Sequence, residues 1–98
     1  MIAGITDKEQ KIITDILQKY YHKYSFYYFG SRVKGTYSNV SDLDILIKGT
    51  IPINYEDMDN INEEFDKSSI PYIVNLVDYH NISKDFYECI KDELCMVE

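Results

Sequence analysis

The segment Asp42–Ile47 is the feature that most restricts how this chain of 98 residues can fold, because carboxylates and large aliphatic residues alternate along it. Successive side chains of a β-strand point to opposite faces, so Asp42 and Asp44 would share one face while Leu43 and Ile45 share the other. Two carboxylates on one face repel each other unless a cation lies between them. Oxygen-only ligands favour Mg²⁺ or Mn²⁺. The pattern therefore predicts a half-buried strand that carries a divalent metal site.

Upstream of this strand, an aromatic and β-prone run over Tyr24–Phe29 ends at a Gly-Ser dipeptide. Gly30 allows the backbone to approach an anion closely, and Ser31 offers a hydroxyl and an N–H at a helix start, where a phosphate is favoured. We expect residues 31–36 to form a short helical turn that carries this loop. A phosphate loop followed by metal-binding carboxylates is the equipment needed for chemistry on a nucleoside triphosphate.

Gly30-Ser31, ten further residues and then Asp42-Leu43-Asp44 resemble the signature of the DNA polymerase β-like nucleotidyltransferase superfamily. Gly35 and Ser41 also fall where that pattern expects them, and residues 70–90 resemble the C-terminal strand and helix of the family. The chain looks like the smallest branch, the minimal nucleotidyltransferases, many of which are antitoxin partners of HEPN-domain proteins. The resemblance covers most of the chain.

This resemblance implies roles for the four residues of the signature. Asp42 and Asp44 would be catalytic and would hold Mg²⁺ or Mn²⁺, while Gly30 and Ser31 would bind the triphosphate tail of the substrate, expected to be ATP. The family moves a nucleoside monophosphate to an acceptor and expels pyrophosphate, and paired metals activate the acceptor and steady the leaving phosphates.

Three more polar residues near the loop are candidates for nucleotide binding. Arg32 favours a phosphate contact, since a guanidinium suits developing negative charge. Lys34 could equally touch a phosphate or be solvated. Ser41 could contact the nucleotide or cap the start of the following strand.

Asn75 marks a departure from the family, whose members usually carry another acid at the corresponding point of a neighbouring strand. An amide can lend its oxygen to a metal, but it has no charge and cannot act as a base. Asp78 lies three residues further on and would face the other way unless a bulge re-aims it. Three alternatives stay open: a weakened or inactive enzyme that still binds nucleotide, an active enzyme relying on Asp42 and Asp44, or replacement of the missing acid by Asp78.

Helix and strand signals along the chain predict one α/β (α+β) domain over residues 1–98, with a mixed sheet of three or four strands and helices packed mainly on one face. A capping box at Thr6–Glu9 opens a first helix that reaches about Tyr21. The remaining expected elements are a strand at Leu43–Lys48, a helix capped by Asn54 and running to Lys67 with Tyr55, Met58, Ile61 and Phe65 on its inner stripe, a strand at Pro71–Val77, and a helix opened by Ser83 with Phe86, Ile90 and Leu94 facing inward.

Composition narrows the expected partners and compartment. The formal net charge is −7, with 10 Lys and Arg against 17 acids, which disfavours nucleic acid as the main partner. Cys89 and Cys95 have no histidine neighbours, so they make no zinc site, and they are expected to be packing residues near the end of the last helix rather than a disulfide. The absence of any recognisable signal peptide, membrane span or lipidation motif predicts a cytoplasmic protein.

The expected function is nucleotidyl transfer, with AMP passing from ATP to a hydroxyl of the acceptor. The resemblance suggests that the acceptor is a tyrosine of a HEPN-type helical partner. The alternative is a weakened or inactive nucleotide-binding antitoxin that occludes its partner. A homodimer is a further open arrangement.

Overall fold

Side-chain caps fix three helix starts in the computed structural model, which describes residues 2–97. The Thr6 hydroxyl accepts a hydrogen bond from the Glu9 N–H at 3.1 Å, and the Glu9 carboxylate accepts one from the Thr6 N–H at 3.0 Å. The Asn54 and Ser83 side chains cap the two later helices by accepting the backbone N–H of Asp57 and Phe86. All three predicted caps are confirmed, because each side chain satisfies a backbone donor that the first turn leaves unpaired.

The helices are α1 (Asp7–Leu17), α2 (Ser31–Lys34), α3 (Tyr55–Lys67) and α4 (Lys84–Ile90), and the strands are β1 (Ser25–Phe29), β2 (Leu43–Lys48), β3 (Val74–Asp78) and β4 (Cys95–Met96). Short 3₁₀ turns at Gln18–Tyr20, Tyr79–Asn81 and Lys91–Glu93 follow α1, β3 and α4. Within the described residues the strands form one mixed sheet in the order β3-β2-β1-β4. Of the strand pairs in residues 2–97, only β2–β3 is parallel.

Alternation along the central strands divides the core between the two faces of the sheet. Leu43, Ile45 and Ile47 are fully buried with α1 and α3 on one face. Leu46 lies on the other face, where it packs in a smaller cluster with Ile90 of α4. The predicted fold class is confirmed: two longer helices cover one face, and α4 covers the opposite one.

Several details of the predicted elements need correction. The α-helical part of α1 ends at Leu17 and continues only as a 3₁₀ turn, and β3 begins at Val74 rather than Pro71. Tyr55 is 90% exposed because it occupies the first position of α3, outside the buried stripe. Cys95 lies in β4 rather than near a helix end, since α4 stops at Ile90.

Phe86 and Leu94 also differ from the predicted helix pattern. Phe86 is 41% exposed, although its ring meets Phe29 edge-on. Leu94 follows the last 3₁₀ turn and is partly buried against the smaller cluster. Among helices of the described range 2–97, none combines the length and apolar character that crossing a membrane requires.

Candidate active site

β1 ends, and β2 and β3 begin, at the same end of the sheet. Residues that are distant in sequence therefore come together there. The antiparallel register places Phe29, the last residue of β1, opposite Asp44 of β2. The parallel register places Asp44 opposite Asn75 of β3. The Asn75 Nδ2 donates a hydrogen bond to the Asp44 Oδ1 at 3.1 Å. Asn75, the residue at which the sequence departs from the family pattern, is therefore in direct contact with Asp44.

Gly30 directly follows β1 and lies against Asp44. Its φ of 86° belongs to the left-handed region, which residues with a Cβ rarely adopt. A Cβ added there would clash with the Asp44 Oδ2 and lie 3.2 Å from its Cγ. The glycine therefore permits the loop and the carboxylate to occupy adjacent space, which is the convergence that the sequence pattern predicts.

The electrostatics of Asp44 reflect its crowded position. Burial raises the pKa of the Asp44 carboxyl above its usual range, and the negative charges of Asp42 and Glu93 add to the rise, while the hydrogen bond from Asn75 opposes it. Among the described residues, no lysine, arginine or histidine forms an ion pair with Asp42 or Asp44. The pair thus gathers negative charge without a protein cation to balance it.

The chemistry of this donor set fits a divalent cation. Asp42 is exposed, Asp44 is half-buried, and both offer only oxygen ligands. In the described residues no group of three His, Cys, Asp or Glu side chains is arranged to hold a metal. Mg²⁺ does not require such a cage, since it commonly binds one or two carboxylates together with substrate phosphates and waters.

The Gly30-Ser31 loop presents further polar groups beside Asp44. The Ser31 Oγ makes no hydrogen bond within the described part of the chain. The Gly30 N–H donates a hydrogen bond of 2.6 Å to the Glu93 Oε2, and the Lys34 Nζ lies 3.4 Å from the Glu93 Oε1. Gly30 thus lies beside Asp44 and Lys34 lies beside Glu93, and the nucleotide-binding roles of Gly30, Ser31 and Lys34 stay predictions.

Arg32 lies next to the loop, but its side chain points into the protein and is 4% exposed. The guanidinium donates from Nη1 to the Gly4 carbonyl at 2.6 Å and from Nη2 to the Ser41 carbonyl at 2.9 Å. Its centre also lies 3.7 Å from the centroid of the Tyr72 ring. These contacts favour a structural role, so the predicted phosphate contact of Arg32 is not supported by the geometry.

Ser41 organises the same connection between α2 and β2. Its Oγ accepts a hydrogen bond from the Ser38 N–H at 2.9 Å, and its N–H donates to the Ser38 carbonyl at 3.2 Å. This arrangement matches the alternative in which Ser41 shapes the start of the strand. A contact between Ser41 and a nucleotide stays a prediction.

Replacement of the missing acid by Asp78 is wrong. Asp78 pairs with Ile47 at the far end of β2 and is 4% exposed. Its carboxylate accepts hydrogen bonds from the Ile53 N–H at 3.2 Å and the His80 N–H at 3.0 Å. Asp78 lies three residue steps along the strand from Asn75, a distance of about 10 Å. Asp78 therefore fixes the backbone at Ile53 and His80, and it cannot complete the carboxylate site.

Comparison with known proteins identifies the family to which this chain belongs. A family model described as Polymerase beta, Nucleotidyltransferase matches residues 10–97. The chain belongs to the polymerase β-like nucleotidyltransferase family.

Two individual proteins are similar to this nucleotidyltransferase domain over most of its length. The "Probable protein adenylyltransferase MntA" of Haemophilus influenzae is 35% identical over 94 residues, which span 96% of this chain and 82% of that protein. A chain from the "Crystal structure of the toxin-antitoxin with AMP-PNP" superposes with a TM-score of 0.70 at 22% identity, covering 91% of this chain and 72% of that one. The second comparison supports the fold.

Glu93 is a site residue that the sequence did not predict. It belongs to the 3₁₀ turn after α4, and its side chain is 15% exposed between the Gly30 N–H and Lys34. The apolar run Leu94–Val97 was the only signal for the short strand that places it. Without that strand, the position of Glu93 relative to the loop could not be derived.

Proposed function

We propose that the chain transfers AMP from ATP to a hydroxyl group of a partner protein. The observation that carries this proposal is the contact between the Gly30 backbone and the Asp44 carboxylate, at the end of the sheet where β1 ends and β2 and β3 begin. In a polymerase β-like nucleotidyltransferase, this arrangement brings a phosphate loop beside metal-binding carboxylates. The similar Haemophilus influenzae protein carries the name protein adenylyltransferase, which supports adenylyl transfer to a protein acceptor.

The proposed reaction is a nucleophilic substitution at the α-phosphorus of ATP. The acceptor oxygen forms a new bond to phosphorus, the bond to pyrophosphate breaks, and the hydroxyl proton passes to a nearby base or to solvent. Asp42 and Asp44 would hold Mg²⁺, which screens the phosphate charge and favours ionisation of the acceptor when it is bound. Gly30 and Ser31 would position the triphosphate through a backbone N–H and a hydroxyl.

Asn75 shapes the site without supplying a charge. Its amide donates to the Asp44 Oδ1, so it orients that carboxylate, but an amide accepts no proton from the acceptor. Proton removal would fall to a carboxylate of the pair or to solvent. We therefore expect turnover to be slower than in a relative with an acid at this position.

The proposed acceptor is a tyrosine of a HEPN-type partner. The chain resembles minimal nucleotidyltransferases that act as antitoxins, and the superposed solved structure is described as a toxin–antitoxin with AMP-PNP. A tyrosine hydroxyl on the partner would become the adenylylated atom. In this proposal the partner also supplies the acceptor-binding surface, since all four strands of the described chain belong to the nucleotidyltransferase sheet.

Incubation of the partner pair with labelled ATP and Mg²⁺ tests the proposal, with label on the partner as the expected result. Asp44→Ala should abolish labelling, whereas Asp59→Asn, an equal change in charge at an exposed position of α3, should leave it unchanged. Calorimetry on the single chain should show ATP binding that requires Mg²⁺. Labelling that persists in Asp44→Ala would exclude the carboxylate pair from the reaction.

A second function is favoured by Asn75 itself: a nucleotide-binding antitoxin that occludes its partner without turnover. In that case ATP and Mg²⁺ bind, the wild-type partner stays unlabelled, and its activity is still suppressed in the complex. Asn75→Asp distinguishes the two functions. Labelling that appears only in this variant identifies the wild type as a non-catalytic module, whereas labelling in the wild type excludes that interpretation.

A further inference from the structure

The Glu93 carboxylate occupies the loop that the proposed function assigns to the triphosphate. One oxygen accepts the Gly30 N–H at 2.6 Å, and the other lies 3.4 Å from the Lys34 Nζ. A backbone N–H and an ammonium group are the donors that phosphate oxygens take in protein sites. The two partners of Glu93 are therefore groups with which the substrate would interact.

The position of Glu93 follows from the pairing of the last strand with the first. The antiparallel ladder pairs Tyr27 with Met96 and Tyr28 with Cys95. Continuing this register by two residues past Tyr28 brings Gly30 opposite Glu93. The carboxylate thus reaches the loop because β4 is attached to β1, and the contact is built into the sheet.

The charge of Glu93 also acts on the carboxylate pair. Its negative charge adds to the rise in the pKa of Asp44, after burial and the charge of Asp42. A third carboxylate near Asp42 and Asp44 increases the electrostatic cost of bringing a polyphosphate to this end of the sheet. Glu93 would therefore oppose an incoming nucleotide in two ways: it competes with the phosphates for the Gly30 N–H and Lys34, and its charge repels them.

The geometry points to Glu93 as an intramolecular competitor that holds the triphosphate loop in a closed state until nucleotide displaces it. This inference rests on the proposed function, because it assigns regulation to the same loop. Both Glu93 oxygens face the loop and Lys34, and no group of three ligating side chains in the described residues is arranged to hold a metal, so in this conformation Glu93 is not placed as a third metal ligand. Rotation of the Glu93 side chain, or movement of the Lys91–Glu93 turn, would release the Gly30 N–H.

Binding of Mg²⁺ with AMP-PNP, measured by calorimetry at neutral pH, tests the inference. Glu93→Gln keeps the shape of the side chain, removes the charge and weakens the contacts to the N–H and the ammonium group. We expect this variant to bind the nucleotide about tenfold more tightly than the wild type, because charge-assisted hydrogen bonds are the stronger ones. Glu93→Ala should change affinity in the same direction, which covers the case in which the glutamine still occupies the loop.

Asp92→Asn is the matched control, since it makes the same change in charge at an exposed residue of the same turn. Its affinity should equal that of the wild type. Thermal unfolding of each variant establishes that the fold is retained before binding is compared.

The outcomes separate the inference from the proposed function. Equal affinity of the wild type and both Glu93 variants overturns the inference and leaves nucleotide binding intact. Weaker binding by the Glu93 variants also overturns it, and makes Glu93 a contributor to the metal or loop site instead. Absence of binding in all folded variants overturns the proposed function and, with it, the inference. Binding that is detectable only in the Glu93 variants supports the inference.

Discussion

Asn75 donates a hydrogen bond to the Asp44 carboxylate at 3.1 Å across the parallel pairing of β2 and β3. The contact lowers the pKa of Asp44, although burial and the neighbouring charges keep the net direction upward. Asn75 thus partly relieves the accumulation of negative charge that a third acid would increase. A neutral residue at this point lowers the charge repulsion at the site and leaves two carboxylates as the proposed metal ligands.

Asn75→Asp should destabilise the metal-free protein. The substitution replaces a donor by a like charge at hydrogen-bond distance from Asp44, at a cost of about 1 kcal/mol, or a fall of about 4–8 °C in the midpoint of thermal unfolding. Mg²⁺ should reverse the loss, because a third carboxylate strengthens cation binding. Calorimetric scans in chelator and in Mg²⁺ measure both effects.

Asn60→Asp provides the control for the change in charge, since Asn60 lies at an exposed position of α3. Its midpoint should differ from that of the wild type by the same small amount with and without Mg²⁺. If Asn75→Asp behaves like this control, Asn75 does not take part in a cation site.

Asp44→Asn should stabilise the metal-free protein progressively as pH rises. The pKa of Asp44 is raised in the folded state above its ordinary value of 3.8, so the folded protein binds this proton more tightly than the unfolded chain. Its contribution to stability is therefore favourable at low pH and is lost as pH rises through the folded pKa. The variant carries no such titration, and its advantage over the wild type should grow from acid to neutral pH.

Chemical denaturation in chelator at several pH values gives the difference in free energy of unfolding between this variant and the wild type. Asp59→Asn is the control, because it removes one carboxylate from an exposed position of α3, away from the strand that carries Asp44. A difference for Asp44→Asn that shrinks toward neutral pH would contradict the upward pKa. Added Mg²⁺ should stabilise the wild type and leave Asp44→Asn unaffected.

The sequence predicted the parts of the site that depend on strand periodicity. The bounds of β2 agree with the prediction, because alternation between apolar and charged residues defines a strand with one buried face. The expected place of Asn75 on a strand beside the carboxylates also agrees with the register. The bounds of β2 follow from an alternation that extends over six residues, whereas the place of Asn75 was implied by the resemblance to the family.

The parts that the sequence did not predict depend on contacts between distant segments. β4 has two residues, too few to show a period, so neither this strand nor the contact between Glu93 and Gly30 could be derived. Arg32 shows a different difficulty. An arginine beside a phosphate loop gives the same sequence signal whether its guanidinium binds phosphates or backbone carbonyls.

Arg32→Lys should destabilise the fold more than it weakens nucleotide binding. A lysine retains the charge but cannot bridge the Gly4 and Ser41 carbonyls with a planar fork, and it loses the stacking on Tyr72. We expect a loss of about 2 kcal/mol in the free energy of unfolding without nucleotide. Urea denaturation measures this loss, and calorimetry measures the affinity of the folded variant.

Lys34→Gln serves as the comparison for Arg32→Lys. The Lys34 side chain is 56% exposed and its ion pair with Glu93 is partly solvated, so the substitution should cost well under about 1 kcal/mol of stability. If Arg32→Lys preserves stability and weakens nucleotide binding, the phosphate role predicted from the sequence is correct.

Gly30→Ala should damage the site far more than Gly35→Ala, although both glycines have a positive φ. Their φ angles are 86° and 82°, but their ψ angles are −160° and 9°. Gly35→Ala therefore places an alanine in the left-handed helical region at a cost of about 1–2 kcal/mol, whereas Gly30→Ala places it in a region essentially restricted to glycine, at a cost of about 1–3 kcal/mol. Only at Gly30 does the new Cβ meet Asp44, whereas nothing lies within 4 Å at Gly35. The clash should add about 1–3 kcal/mol and displace the carboxylate.

Urea denaturation gives the stability difference, and Mg²⁺-dependent ATP binding should be lost in Gly30→Ala and kept in Gly35→Ala. Equal stability losses and equal affinities in the two variants would show that Gly30 is required only for its backbone angle, and that the loop and Asp44 do not form one site.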